Sequence, residues 1–179
     1  MLNNIAATLG GGVPVSLTDY ESIATTTVGA GGAATISFTS IAGTYSHLQI
    51  RGLMGCSGGT GTSVNVSFNG NTTTTDYYYH RLQGTGSAAN AGAGNIRRLL
   101  DNGGSSTYFQ GAVIDVLDYS NTNKYKTTRA LAGYDANGSG TISLTSNLWK
   151  FTNAITQIDL TPDTGTFVQY SSFALYGIK

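Results

Sequence analysis

The stretch TYFQGAVIDVLDYSNTNKYKTTRALAGYDANGSGTISLTSNLWK, Thr107–Lys150, reads as three consecutive strands joined by two turns. Gly111-Ala112-Val113-Ile114-Asp115-Val116-Leu117 is apolar almost residue by residue, so the first strand is expected to be buried on both faces. Ser120-Asn121-Thr122-Asn123 ends it, because these side chains bond back to their own backbone and favour turns. Lys124 to Tyr134 alternates more loosely, and Asp135-Ala136-Asn137-Gly138-Ser139-Gly140 makes the second reversal. Asn-Gly accepts positive φ at both central positions of a two-residue turn, a strong local hairpin signal. Such a meander belongs at the centre of a sheet.

Working outward, Tyr20 to Val28 reads as a first strand, Gly29–Gly32 turns it, and Ala34–Thr39 returns with clean alternation. Tyr45–Met54 follows, with Leu48, Ile50 and Gly52 on one face and His47, Gln49 and Arg51 on the other. Ser63–Phe68 points Val64, Val66 and Phe68 inward. Asp76–Leu82 is a further strand, Gln83–Gly94 reads as an exposed loop, and Asn95–Leu100 is a short strand or one helical turn. Ala154–Leu160, a turn at Thr161–Gly165 and a final strand from Phe167 to Ile178 complete the chain. Nine or ten strands at small separations favour antiparallel pairing. The expected class is therefore all-β: an antiparallel two-sheet β-sandwich, a jelly roll by preference, spanning residues 17–179. Residues 1–16 read as an extended N-terminal arm lying on a partner surface, since a Gly-Gly-Gly segment alone does not repay its ordering entropy.

Composition supports this class. Gly accounts for 25 of 179 residues and Pro for 2, while charged residues are only 10%, against about 25% in a typical globular chain. Glycine serves tight turns, and the abundant threonine suits a pleated, half-buried surface. The net charge of +0, with both signs scattered, gives no footprint for nucleic acid or anionic lipid and weakens repulsion between copies. Cys56 is alone, so no intrachain disulfide forms. There is no long apolar run to span a membrane and no signal-peptide pattern, so synthesis in a cytoplasm without an export address is expected.

Chemistry is sparse. Asp135–Gly140 starts like a calcium loop, but its twelfth position is Ser146 rather than a bidentate Glu, so a hairpin turn is favoured over a metal site. Asp115 and Asp118 fall on opposite faces of a regular strand, and pairing of one with Arg129 or Lys126 is expected before acid–base work. His47 and His80 stand apart with no ligand cluster and read as structural. No catalytic residue, cofactor or metal is expected. The aromatic run Tyr77-Tyr78-Tyr79-His80-Arg81 suits a subunit or receptor contact, because Tyr buries area at low entropy cost; a plain sheet face is the alternative. Trp149 is weighed in the same way. Interface candidates are Tyr77, Tyr78, Tyr79 and Arg81, with Arg97 and Arg98 in the following segment and Leu2, Ile5 and Leu9 on the arm.

The stretches YSHLQIRGL (Tyr45–Leu53), DYYYHRL (Asp76–Leu82), VIDVLDYSNTNKYKTTRALAGYDANGSGTISL (Val113–Leu144) and ITQIDLTPDTGTFVQYSSFALYGIK (Ile155–Lys179) resemble a family of small bacteriophage virion proteins. The family is common in short-tailed and related phages, including those of cyanobacteria and marine bacteria. The likeness runs from about Leu17 to the end and consists of fold signatures, so no catalytic residue is carried across. It implies a structural role in the virion. The first expectation is a homotrimeric capsid decoration or cement protein on the major capsid protein; a fibre module binding a host surface glycan is the alternative. A polysaccharide-degrading domain is disfavoured by the scarcity of carboxylates, since such enzymes need two about 5–10 Å apart.

Overall fold

The computed structural model describes residues 19–179; the expected arm, with Leu2, Ile5 and Leu9, lies outside the described residues. The described chain forms thirteen strands and no α-helix. They are β1 (Tyr20–Thr27), β2 (Ile36–Phe38), β3 (His47–Cys56), β4 (Val64–Phe68), β5 (Tyr77–Gly84), β6 (Ala89–Gly94) and β7 (Arg98–Leu100). The rest are β8 (Gly104–Ser105), β9 (Gln110–Leu117), β10 (Lys126–Asp135), β11 (Gly140–Trp149), β12 (Ile158–Pro162) and β13 (Ser172–Ile178). A nine-stranded sheet runs β1-β13-β3-β9-β10-β11-β5-β6, with β8 paired to β3, and a four-stranded sheet runs β2-β12-β4-β7. The chain is thus an all-β, two-sheet antiparallel structure. A jelly roll distributes eight strands as two Greek keys; here the division is nine to four.

The Thr107–Lys150 meander is the middle of the large sheet, as its sequence requires. Asn137 (φ 55°) and Gly138 (φ 105°) occupy the two turn positions, and the Ala136 N–H donates to the Ser139 carbonyl at 2.7 Å. That turn fixes the β10–β11 register, with Leu131 opposite Leu144. The core lies between the sheets. Leu48, Ile50, Ile114, Val116, Phe173 and Leu175 of the large sheet belong to one buried cluster with Val64, Val66, Phe68, Ile158 and Leu160 of the small one. Trp149 closes one end against Phe68, with ring centroids 5.6 Å apart. Lys126 is also inside, where its ammonium donates to the backbone carbonyls of Asn121, Lys124 and Thr152.

Several expectations are corrected. β9 is not buried on both faces: Ala112, Ile114 and Val116 are buried, but Val113 is exposed, because no layer of the described chain covers that side. Ala34–Thr39 does not return alongside the first strand. The Gly29–Gly32 segment carries the chain across to the small sheet, where β2 pairs with β12. Gln83–Gly94 is a hairpin rather than a loop, with Gly86 at positive φ and β6 forming the sheet edge. The expected final strand is interrupted: Phe167 bridges Ala33 and Cys56, and Tyr170 takes φ 71° before β13 begins. Pairing is antiparallel except where β8 runs parallel to β3; Gly104 is required there, because neighbouring backbone leaves no room for a Cβ.

Candidate functional site

The sequence candidates separate into three environments. Tyr77 and Tyr79 point inward, a correction to their reading as surface contacts. Tyr77 is wholly buried; its hydroxyl donates to the Asn71 carbonyl at 2.9 Å and accepts from the Phe68 N–H at 3.0 Å. Burial pushes this phenol up to about 12. Tyr78 faces outward, 5.2 Å from the His80 ring and under the Lys150 ammonium at 5.9 Å. Arg81 and Arg98 are likewise engaged within the chain: the Arg81 guanidinium pairs with Asp101 Oδ1 at 3.0 Å, and Arg98 donates to the same oxygen at 3.1 Å. Asp101 is 1% exposed, and its carboxylate bridges β5 of the large sheet to β7 of the small one. Arg97 donates to the Val66 carbonyl at 3.2 Å. The segment chosen for its charge is therefore largely an internal tie between the sheets.

The other titratable residues are also placed by local structure. Asp115 meets Arg129 at 3.8 Å across the β9–β10 pair, as expected. Asp118 lies beyond the end of β9 at φ 46°, so strand alternation does not govern it; Lys124 holds its carboxyl below the usual range. His47 Nδ1 accepts from the Asp118 N–H at 3.0 Å and lies 3.4 Å from the Asp118 carboxylate. Cys56 is fully buried, and desolvation raises its thiol to about 11. Among the described residues no group of three or more His, Cys, Asp or Glu side chains converges.

The prominent surface feature is one the sequence reading did not assign. The outer face of the large sheet carries a continuous apolar band over five adjacent strands. Registers place Leu82 (β5), Leu144 (β11), Leu131 (β10) and Val113 (β9) in one row. Ile142 (β11) and Leu53 (β3) stand in the next row, separated by Gly133 and Gly111. Exposure runs from 41% at Val113 to 60% at Ile142. Full burial of such a side chain is worth about 1.5–3 kcal/mol, so each leaves roughly half of that unrealised.

Beneath the band the usual polarity is inverted. In β11, Thr141, Ser143, Thr145 and Asn147 are buried while Ile142 and Leu144 are exposed. The side-chain oxygens of Thr128, Ser143 and Thr145 have no hydrogen-bond partner within the described chain. A one-residue slip of β11 would reverse every side chain, but the Asn137-Gly138 turn holds the register that leaves the apolar set outside. A strand apolar on both faces, as at Gly111–Leu117, was the available sequence signal.

A second surface feature lies at the hairpin tips. An open groove of about 530 Å³ runs between the β5–β6 and β10–β11 turns. Its walls include Gly84, Gly86 and Gly138, with Tyr134, Asp135 and Ser139 as its chemical groups. Asp135 Oδ1 accepts from the Asn137 N–H at 2.8 Å, so one carboxylate oxygen already serves the turn.

No family model matches this chain, and no curated protein matches it. A solved structure of a candidate pore-forming toxin from Bacteroides vulgatus aligns over 80% of this chain at 7% identity, with a TM-score of 0.08. The chain spans about half the length of that protein, 54%. A likeness at that level carries no argument.

Proposed function

We propose that this chain is a structural subunit of a bacteriophage virion, a decoration or cement protein that binds the assembled shell of the major capsid protein. The observation that carries the reading of an assembly subunit, as opposed to a free monomer, is the bare apolar band on the large sheet. Contiguous apolar patches of this kind mark interaction surfaces in folded proteins. The similarity of Tyr45–Leu53, Asp76–Leu82, Val113–Leu144 and Ile155–Lys179 to small virion proteins supplies the kind of assembly. The mechanism is mass action: a protein that binds the closed shell better than loose subunits stabilises the closed shell. Met1–Ser16 is the segment assigned to grip the shell, by adding along exposed strand edges.

The test is co-sedimentation of purified chain with shells assembled from the major capsid protein. The full chain is expected to pellet with shells and raise their melting temperature. Deleting Met1–Ser16 should abolish binding while leaving the far-ultraviolet circular dichroism unchanged. Full-strength binding by the truncated chain refutes the role of the arm, and absence of binding by the intact chain refutes the decoration function.

A second reading, a fibre module that binds a host surface glycan, is favoured by the hairpin-tip groove with Tyr134 and Asp135. An aromatic face beside a carboxylate suits a sugar ring and its hydroxyls. Binding to host cells that is competed by their polysaccharide, and lost on Tyr134→Ala, would support it; indifference to both ends it.

A further inference from the structure

We infer that the outer face of β5, β11, β10, β9 and β3 is the contact surface for a second copy of this chain, packed sheet on sheet about a two-fold axis. The inference deepens the assembly reading by naming the occupant of the bare face, and it holds for an assembly of any kind.

Four observations carry it. First, Gly111–Leu117 is apolar on both faces, yet the small sheet covers only one. The Asn137-Gly138 turn likewise locks Ile142 and Leu144 outward, so the cover is not supplied by another register of the described chain.

Second, the face is complementary to itself. Leu82, Leu144, Leu131 and Val113 form a ridge across the strands. Two residues along the same strands lie Gly84, Ile142, Gly133 and Gly111, so three of the four ridge positions have a glycine beside them. Consider a two-fold axis in the interface, across the strands and midway between the two rows. It sets Leu82, Leu131 and Val113 of one copy over Gly84, Gly133 and Gly111 of the other, with Leu144 meeting Ile142. Such an isologous contact closes at two copies.

Third, the area falls within the range of specific interfaces. The five strands, at about 4.8 Å spacing and about nine residues long, offer a footprint of roughly 700 Å². Specific interfaces bury about 600–1,000 Å² per partner.

Fourth, the charges at the face are already engaged within the chain. Arg51 continues the ridge row on β3 beside Val113, where its Nε–H donates to Gln49 Oε1 at 2.8 Å and its guanidinium lies over the Tyr20 and Tyr176 rings, at 5.3 and 5.0 Å. In the polar row Arg129 pairs with Asp115 at 3.8 Å, and a net charge of +0 removes long-range repulsion between copies.

The test is sedimentation velocity of the full chain from nanomolar to micromolar concentration. A concentration-dependent dimer is expected. Leu131→Glu should weaken it by about 30-fold or more, the loss associated with an interface hot spot, while the melting temperature of the dissociated monomer is maintained. Gly111→Leu is the second variant: nothing lies within 4 Å of a Cβ there, so the monomer accepts it. Filling the trough should weaken the dimer, whereas a non-specific greasy contact would be strengthened. A monomer throughout the range, a trimer, or a dimer indifferent to Leu131→Glu overturns the inference. Tighter association of Gly111→Leu overturns the ridge-over-trough arrangement. None of these results depends on shell binding.

Discussion

Asp101→Asn removes the buried negative charge that joins the two sheets while keeping the side chain's size. Asp101 is 1% exposed and takes both guanidinium groups on Oδ1, at 3.0 and 3.1 Å, with the Ser63 hydroxyl donating to the same atom at 3.4 Å. Breaking a buried pair by removing one partner costs about 3–5 kcal/mol, because the other charge is left uncompensated. Here the arginine side chains keep 22% and 25% exposure, so water relieves part of that cost. The lower end, about 3 kcal/mol, is therefore expected. For a chain of this size each kcal/mol moves the midpoint by about 2–4 °C, so the variant should melt roughly 6–12 °C lower. Differential scanning calorimetry at neutral pH reads this directly, and the shift should change little with added salt because the group is buried. Replacing the triad together, Arg81→Leu, Asp101→Leu and Arg98→Met, should recover most of the loss, since an apolar substitute requires no desolvated charge. A shift under about 2 °C for Asp101→Asn, or a triple variant less stable than the single one, refutes the reasoning.

Two further outcomes follow from local geometry. Gly138→Ala places a side chain at φ 105° with open space around it, so the cost is conformational alone, about 1–2 kcal/mol by urea denaturation; Asn137→Gly, at φ 55°, should lie close to wild type. In alkali, burial raises the Cys56 thiol from 9.0 to about 11 and the Tyr77 phenol from 10.0 to about 12. Both groups are harder to ionise when folded, so the unfolded chain releases their protons first. The stability they contribute is complete below about pH 9 and is lost as pH rises toward 12, by about 4 kcal/mol at pH 11. Urea denaturation at neutral pH and at pH 11 measures it, and a Cys56→Ala variant that retains the full alkaline loss would refute the thiol's share.

The strands were legible because their signals are local. Period-two alternation located β3 and β4, and the Asn137-Gly138 pair dictated a hairpin through its backbone conformation alone. The two-sheet antiparallel class followed from turn spacing and the absence of helical periods. The path of the chain after a turn was not legible: nothing local distinguishes a glycine turn that closes a hairpin, as at Gly86, from one that crosses to the other sheet, as at Gly29–Gly32. The Tyr77–Arg81 cluster was found correctly as a strand, but its direction was not, because β5 takes its facing from β11, a partner distant in sequence.

The sequence by itself determined that this is an all-β chain with a meander at its centre and apolar residues on both sides of that meander. Which side would be covered was decided only by tertiary structure. The small sheet lies over one face, and the turn-locked register of β10 and β11 leaves Leu131, Ile142 and Leu144 on the other. Side-chain alternation is a property of a single strand, whereas burial depends on how many layers are stacked upon it.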